Sequence, residues 1–113
     1  MAVDASPSNW LGAGYSLGTN QAIFNTSNHG TPCLSEVTNA QANASTGDVR
    51  QLIMGILDKL YAKYLTTVAG TDRPTKMTMF RSASENENGQ IVRTFQISFI
   101  TDESTPQQVD SET

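Results

Sequence analysis

His29 and Cys33 are the side chains whose types could first suggest chemistry, because they stand four residues apart and could bind one metal ion. A zinc site needs three or four protein ligands, and the nearest carboxylate in the sequence is Glu36. A nucleophilic Cys–His pair would need an orienting third group and an activated thiolate, whereas Cys33 lies between Pro32 and Leu34 and favours a small buried apolar role. The sequence therefore predicts no metal, no cofactor and no catalytic residue, and a non-enzymatic protein.

Three other patterns were weighed for ligand chemistry. The glycine-rich segment 12–18 lacks the G-x-G-x-x-G spacing and follows no βαβ unit, so it does not predict a phosphate cradle. Glu85 and Glu87 are typical of solvated charge at a loop tip. Trp10 and Tyr15 could stack on bases or sugars, but without nearby basic residues they favour anchoring in a protein groove.

The first 47 residues contain no Lys or Arg and only two acids, Asp4 and Glu36. Their large apolar residues are spaced too widely for a core of their own. Residues 1–45 are therefore predicted to form an extended N-terminal arm that lies on a surface, with short strands possible at 22–24 and 32–34. The predicted interface residues are Trp10, Leu11, Tyr15, Leu17, Ile23, Phe24 and Phe80.

The charge distribution argues against nucleic acid and membrane partners. Residues 1–100 carry seven acids and seven bases, and the net charge of −4 comes from residues 101–113, which are predicted to form a flexible acidic tail. Phosphate binding needs clustered Lys or Arg, and a membrane span needs about 20 apolar residues. The N-terminus also lacks the basic and apolar regions of a signal peptide. The single cysteine excludes an intramolecular disulfide.

Residues 48–67 carry the clearest periodicity in the chain, a helical stripe of large apolar side chains. Ser45 is the predicted N-cap, and Gly70 is the predicted stop. Gly55 interrupts the helix, either because another backbone approaches there or because the position is neutral. The stripe consists of Val49, Leu52, Ile53, Ile56, Leu57, Leu60, Tyr61, Tyr64 and Leu65.

Residues 76–100 predict a β-hairpin, because two alternating segments flank a break at 85–89. A three-residue loop at 87–89, with Gly89 in the left-handed position, sets Met79 opposite Ile97 and Met77 opposite Phe99. A two-residue Asn88-Gly89 turn would instead pair Phe80 with Ile97. The first register is preferred because Phe95, Ile97 and Phe99 then continue one apolar face with both methionines.

The predicted fold is α+β: one amphipathic helix packed on a small antiparallel sheet built around the C-terminal hairpin. Residues 46–100 are the predicted body, which is too small to be stable on two strands alone. Either the N-terminal segment or another chain must complete the sheet. The preferred register leaves Phe80 on the face away from the helix with Val92 and Ile100, where we expect the arm of the same chain or of a neighbour to cover it.

This organisation of arm, compact α+β body and acidic tail resembles the small virion proteins of tailed bacteriophages, of the head-decoration (cement) or connector class. The resemblance implies a homo-oligomer bound to a major shell or other structural protein, located in the virion after assembly in the host cytoplasm. Without a virus the expected location is cytoplasmic. Two other function classes stay open: a small protein-binding module and an accessory enzyme subunit. A basic concave patch or a deep polar pocket would favour those two classes.

Overall fold

The computed structural model describes residues 3–101 and the backbone of residues 102 and 105–109. Its fold is α+β, as predicted, with one long helix and small antiparallel sheets of two strands each. The chain divides into two compact units, Ala5–Thr66 and a second that begins at Thr67 and contains the C-terminal hairpin. The elements are α1 (Pro7–Leu11), β1 (Tyr15–Gly18), β2 (Gln21–Phe24), α2 (Val49–Thr66), β3 (Met77–Glu85), β4 (Ile91–Phe99), β5 (Thr101–Asp102) and β6 (Thr105–Val109).

The short helix α1 was not predicted, although the sequence carries its boundary signals. Ser6 caps its N-terminus, since its Oγ accepts a hydrogen bond of 3.3 Å from the Asn9 N–H, and Pro7 follows at the first helical position. Gly12 ends the helix with a φ of +81° and donates its N–H to the Ser8 carbonyl. These two caps place Trp10 and Leu11 on a buried side of the helix.

Strands β1 and β2 form a hairpin of their own. Tyr15 pairs with Phe24 and Gly18 with Gln21, and Asn20 adopts a φ of +56° in the turn. The predicted strand at 22–24 is thus part of β2, while the one predicted at 32–34 is reduced to a single parallel bridge between Thr26 and Leu34. The expectation that these segments extend the C-terminal hairpin is wrong for the described residues, since β1 and β2 form a separate sheet.

Helix α2 begins at Val49 and ends at Thr66, within one residue of the predicted bounds. Its N-cap is Asp48 and not Ser45, because Asp48 Oδ1 accepts the Arg50 N–H at 2.9 Å. Beyond its C-terminus, Arg73 binds Thr67 through both the hydroxyl and the carbonyl oxygen at 2.9 Å. Gly70 follows with a φ of +80°.

The apolar stripe of α2 has two parts that differ in burial. Leu52, Ile56 and Leu60 pack against the core of the Ala5–Thr66 unit. Val49, Ile53 and Leu65 are exposed, with Ile53 keeping 50% of its surface. The prediction that the whole stripe faces one core is therefore wrong, because the nine apolar residues occupy more of the helix circumference than one neighbouring layer covers.

The N-terminal segment supplies the layer that packs on α2. Its buried residues Leu11, Cys33, Leu34 and Val37 form the core cluster. The prediction of an extended arm is corrected by this cluster, as is the expected packing of the helix on the C-terminal hairpin. Gly55 is buried, and a Cβ there would lie 2.5 Å from Val37 Cγ2, so close approach explains this glycine. The approaching group is a side chain, where the sequence suggested backbone or neutrality.

Polar side chains fold the long connection between β2 and α2. The Asn25 carbonyl accepts the N–H groups of Cys33 and Leu34 at 2.9 Å, and the Asn25 side chain donates to the Thr31 carbonyl. Asn28 Oδ1 accepts the Asn39 N–H at 2.7 Å. The abundant Asn, Ser and Thr of this segment therefore build turns, which is the usual local role of these side chains.

The C-terminal hairpin has the predicted register. Met79 lies opposite Ile97 and Met77 opposite Phe99, which excludes the two-residue turn. Asn86 donates its N–H to the Gln90 carbonyl at 2.8 Å, so residues 87–89 form the loop, and Gly89 has a φ of +76°. Beyond it, β5 and β6 pair within the predicted acidic tail, while residues 103, 104 and 110–113 of that tail lie outside the described residues.

Candidate functional site

The hairpin β3–β4 presents exposed apolar side chains on one face that the sequence expected to be covered. Phe80 lies opposite Gln96, and the strand alternation places Val92 and Ile100 on the same face. Phe80 and Ile100 each keep 58% of their surface exposed, and Val92 is also exposed. Cover of Phe80 by the arm of its own chain, one of the two alternatives, is therefore not observed. A cover from a neighbouring molecule stays a prediction.

The opposite face of the hairpin is more buried but also incomplete. Met79 is 7% exposed, and Phe95 and Ile97 are half-buried. Phe99 and Ile91, at the two ends of β4, are exposed. Since a two-stranded sheet is marginal in water and both of its faces carry exposed apolar groups, this hairpin is the surface best suited to bind another protein.

The predicted interface residues of the N-terminal segment fall into two groups. Trp10 and Leu11 are buried within their own chain, which corrects their assignment as interface anchors. Tyr15 and Phe24 are partly buried against the core, with their rings edge to face at a centroid distance of 5.1 Å. Leu17, at 76% exposure, and Ile23 are the two that stay available on the β1–β2 hairpin.

A small polar cleft lies beside α2 in the Ala5–Thr66 unit. Its volume is about 280 Å³, and its lining includes Cys33, Glu36, Asp58 and Lys59. Cys33 is buried and its Sγ donates to the Leu11 carbonyl at 3.5 Å. Burial raises the pKa of the Cys33 thiol, although the positive charge of Lys59 acts in the opposite direction. A protonated thiol that donates a hydrogen bond is a structural group and a poor nucleophile.

His29 has a local structural role. Its Nδ1 accepts the Thr31 N–H at 2.9 Å and lies 3.3 Å from Asn25 Nδ2. Among the described residues, no group of three or more His, Cys, Asp or Glu side chains is arranged to hold a metal ion. Buried side-chain nitrogen and oxygen atoms in the same part of the chain all have hydrogen-bond partners. No described buried polar side chain is thus left waiting for a ligand.

Comparisons with protein-family models, with curated proteins and with solved structures found no match. Over the part of the chain that the structure describes, none of the helices combines the length and apolar character that crossing a bilayer requires.

Sequence reasoning identified Phe80 but did not assign Ile91, Phe99 or Ile100 to the candidate surface. The alternation of the two strands was visible in the sequence, and so was the absence of enough partners for both faces. What was not visible is how little of the hairpin the remaining described residues cover.

Proposed function

We propose that this chain is a non-enzymatic structural protein that self-associates and attaches to a larger protein assembly through the hairpin β3–β4. The observation that carries the proposal is the exposure of apolar groups on both faces of this hairpin, led by Phe80 and Ile100. Exposed apolar surface concentrated in one element is the usual mark of a protein interface. Leu17 and Ile23 are proposed as a second contact surface.

The assembly we propose is the shell of a tailed bacteriophage, where the chain would act as a decoration or cement protein. The support is the architectural resemblance together with the exposed hairpin, and the virion is the proposed location. Mass spectrometry of purified particles from the phage that encodes the chain would detect it in a fixed ratio to the major shell protein. Absence of the chain from intact particles would contradict this assignment.

The polar cleft is the observation that would favour an enzyme subunit or a small-ligand module. Its volume of about 280 Å³ is at or below the roughly 300–1,000 Å³ of small-molecule sites. Its thiol is held protonated by burial. We therefore place the function on the hairpin.

Self-association is tested by measuring the mass of the full chain with light scattering at several protein concentrations. We expect a species of at least twice the 12.2 kDa chain mass. Phe80→Ser should shift this equilibrium toward the single chain, while Thr78→Ser, on the same face of β3, should leave it unchanged. A chain that stays monomeric at all concentrations would contradict the proposal.

A further inference from the structure

The backbone of β4 has one side bonded to β3 and one side directed outward. The pairs Asn86 with Gln90 and Lys76 with Ile100 are hydrogen-bonded, at 2.8 and 3.0 Å. Hydrogen-bonded pairs alternate along an antiparallel ladder, so the even-numbered residues of β4 bond to β3. The odd-numbered residues direct their N–H and C=O groups to the outer edge: Ile91, Arg93, Phe95, Ile97 and Phe99.

This outer edge of β4 is long and weakly protected. Within the described residues, no strand pairs with it. Its nine residues contain no Pro, Lys, Asp or Glu, and Arg93 is the single charge. Natural edge strands are commonly shortened, charged or interrupted by proline to prevent pairing with another chain. An edge without these devices is suited to strand addition.

We propose that β4 pairs antiparallel with β4 of a second copy, with Gln96 opposite Gln96, to give a four-stranded sheet ordered β3-β4-β4-β3. The proposal rests on the self-association proposed above and adds its geometry. A two-fold axis perpendicular to the sheet keeps each face intact. Phe80, Val92 and Ile100 of both copies therefore share one apolar face, which is the area that a single hairpin lacks.

The register follows from the side chains of β4 itself. With Gln96 on the axis, Val92 faces Ile100 of the second copy and Thr94 faces Ser98, so apolar pairs with apolar and hydroxyl with hydroxyl. On the other face, Phe95 meets Ile97, an aromatic and β-branched pair of the kind that stabilises sheets. An axis through Phe95 would instead set Val92 against Ser98.

Charge also favours this arrangement. Arg93 faces Phe99 of the second copy, a pairing that allows a cation–π contact. The two Arg93 positions are six residues apart along the ladder, about 20 Å, so they do not repel strongly. The edge of β3 is a poorer choice, because Met79 on it is already buried and a central axis would set Arg81 against Arg81.

Cysteine cross-linking tests the register directly. Gln96→Cys places two thiols in a non-hydrogen-bonded antiparallel pair, where Cα atoms are about 4.5 Å apart, within disulfide range. Under mild oxidation of the full chain, we expect more than half of the molecules to become disulfide-linked dimers on a non-reducing gel. The unsubstituted chain, whose only thiol is the buried Cys33, gives the background.

Matched controls are Thr94→Cys and Ser98→Cys, which lie on the same face of β4. Each alone should cross-link at least tenfold more slowly than Gln96→Cys, because its own counterpart is four residues away. A mixture of the two variants should form the mixed disulfide at a rate close to that of Gln96→Cys. Circular dichroism of each variant confirms that the chain is folded.

Each outcome decides between the proposals. Rapid cross-linking at position 96 together with the mixed 94–98 disulfide supports the β4 pairing. If light scattering shows an oligomer but position 96 cross-links no faster than the controls, the β4 pairing is wrong and the self-association stands. If the chain is monomeric at all concentrations, both are wrong.

Discussion

At the scale of single residues, Gly55 shows how one missing Cβ sets the distance between two parts of the chain. It lies within α2, where glycine costs about 1 kcal/mol relative to alanine. The structure gives the reason for this cost, since Val37 is fully buried against Gly55. The conformational penalty of the glycine is thus the condition for packing the N-terminal segment on the helix.

We predict that Gly55→Ala lowers the free energy of unfolding by about 1–3 kcal/mol, although alanine is the better helix former. The added methyl group would overlap Val37 Cγ2. Urea denaturation measures the effect, and Gly30→Ala, at a position with open space around it, is the matched control. In a Val37→Ala background the substitution should become neutral or stabilising. A stabilising effect in the native background would contradict the close packing.

Asp48 is the residue whose ionisation the structure changes most clearly. A side-chain hydrogen bond from Arg50, followed by one from the Arg50 N–H, lowers its pKa to about 2. The two side chains form an ion pair at 2.7 Å. Because the carboxylate also caps α2, its charge is linked to the formation of the first helical turn.

We predict that the stabilisation from Asp48 is complete above its unfolded pKa of about 4 and is lost as the pH falls toward about 2. The sign follows because the folded state holds the ionised form more strongly than the unfolded state does. An NMR titration of the Asp48 carboxyl carbon measures the pKa, and Arg50→Ala should raise it toward the usual value. A midpoint near 4 in the native chain would contradict the assigned hydrogen bonds.

At the scale of elements, helix α2 combines a side that packs and a side that does not. The periodicity predicted its bounds to within one residue, because the i, i+3, i+4 pattern is a local property. The same pattern could not tell which apolar residues meet the core, since Leu52 and Ile53 are equally apolar in the sequence. Their difference in burial arises from the position of the N-terminal segment.

We predict that Leu60→Ala, on the core side of α2, lowers the free energy of unfolding by about 1–3 kcal/mol. Ile53→Ala should change it by less than about 0.5–1 kcal/mol, because the side chain is half exposed and alanine favours the helix. Chemical denaturation of both variants under the same conditions measures the contrast. Equal effects would show that the two sides of the helix are equally buried.

At the scale of the whole molecule, the N-terminal segment is a folding partner of α2. Its buried Leu11, Cys33, Leu34 and Val37 form the core against the helix. The sequence had suggested an adhesive arm because its apolar residues are widely spaced. Wide spacing along the chain is compatible with a compact core when turns bring the residues together.

We predict that removal of residues 1–44 abolishes most of the helical signal in far-UV circular dichroism, because α2 loses the layer that covers Leu52, Ile56 and Leu60. Leu17→Ser, which changes an exposed residue of the same segment, should keep the signal of the full chain. A truncated chain that stays helical but loses only its association would restore the adhesive-arm interpretation.

The sequence by itself determined those features that a few neighbouring residues encode: the α+β class, the bounds of α2, and the register of β3 on β4. The loop 87–89 with its left-handed Gly89 fixes that register locally, and no distant contact is needed. Only the tertiary structure decided that Trp10 and Leu11 are buried, that Val37 lies against Gly55, and that Phe80 stays exposed. These outcomes depend on which residues far apart in the chain come together to exclude water, and apolar character alone does not specify the partner.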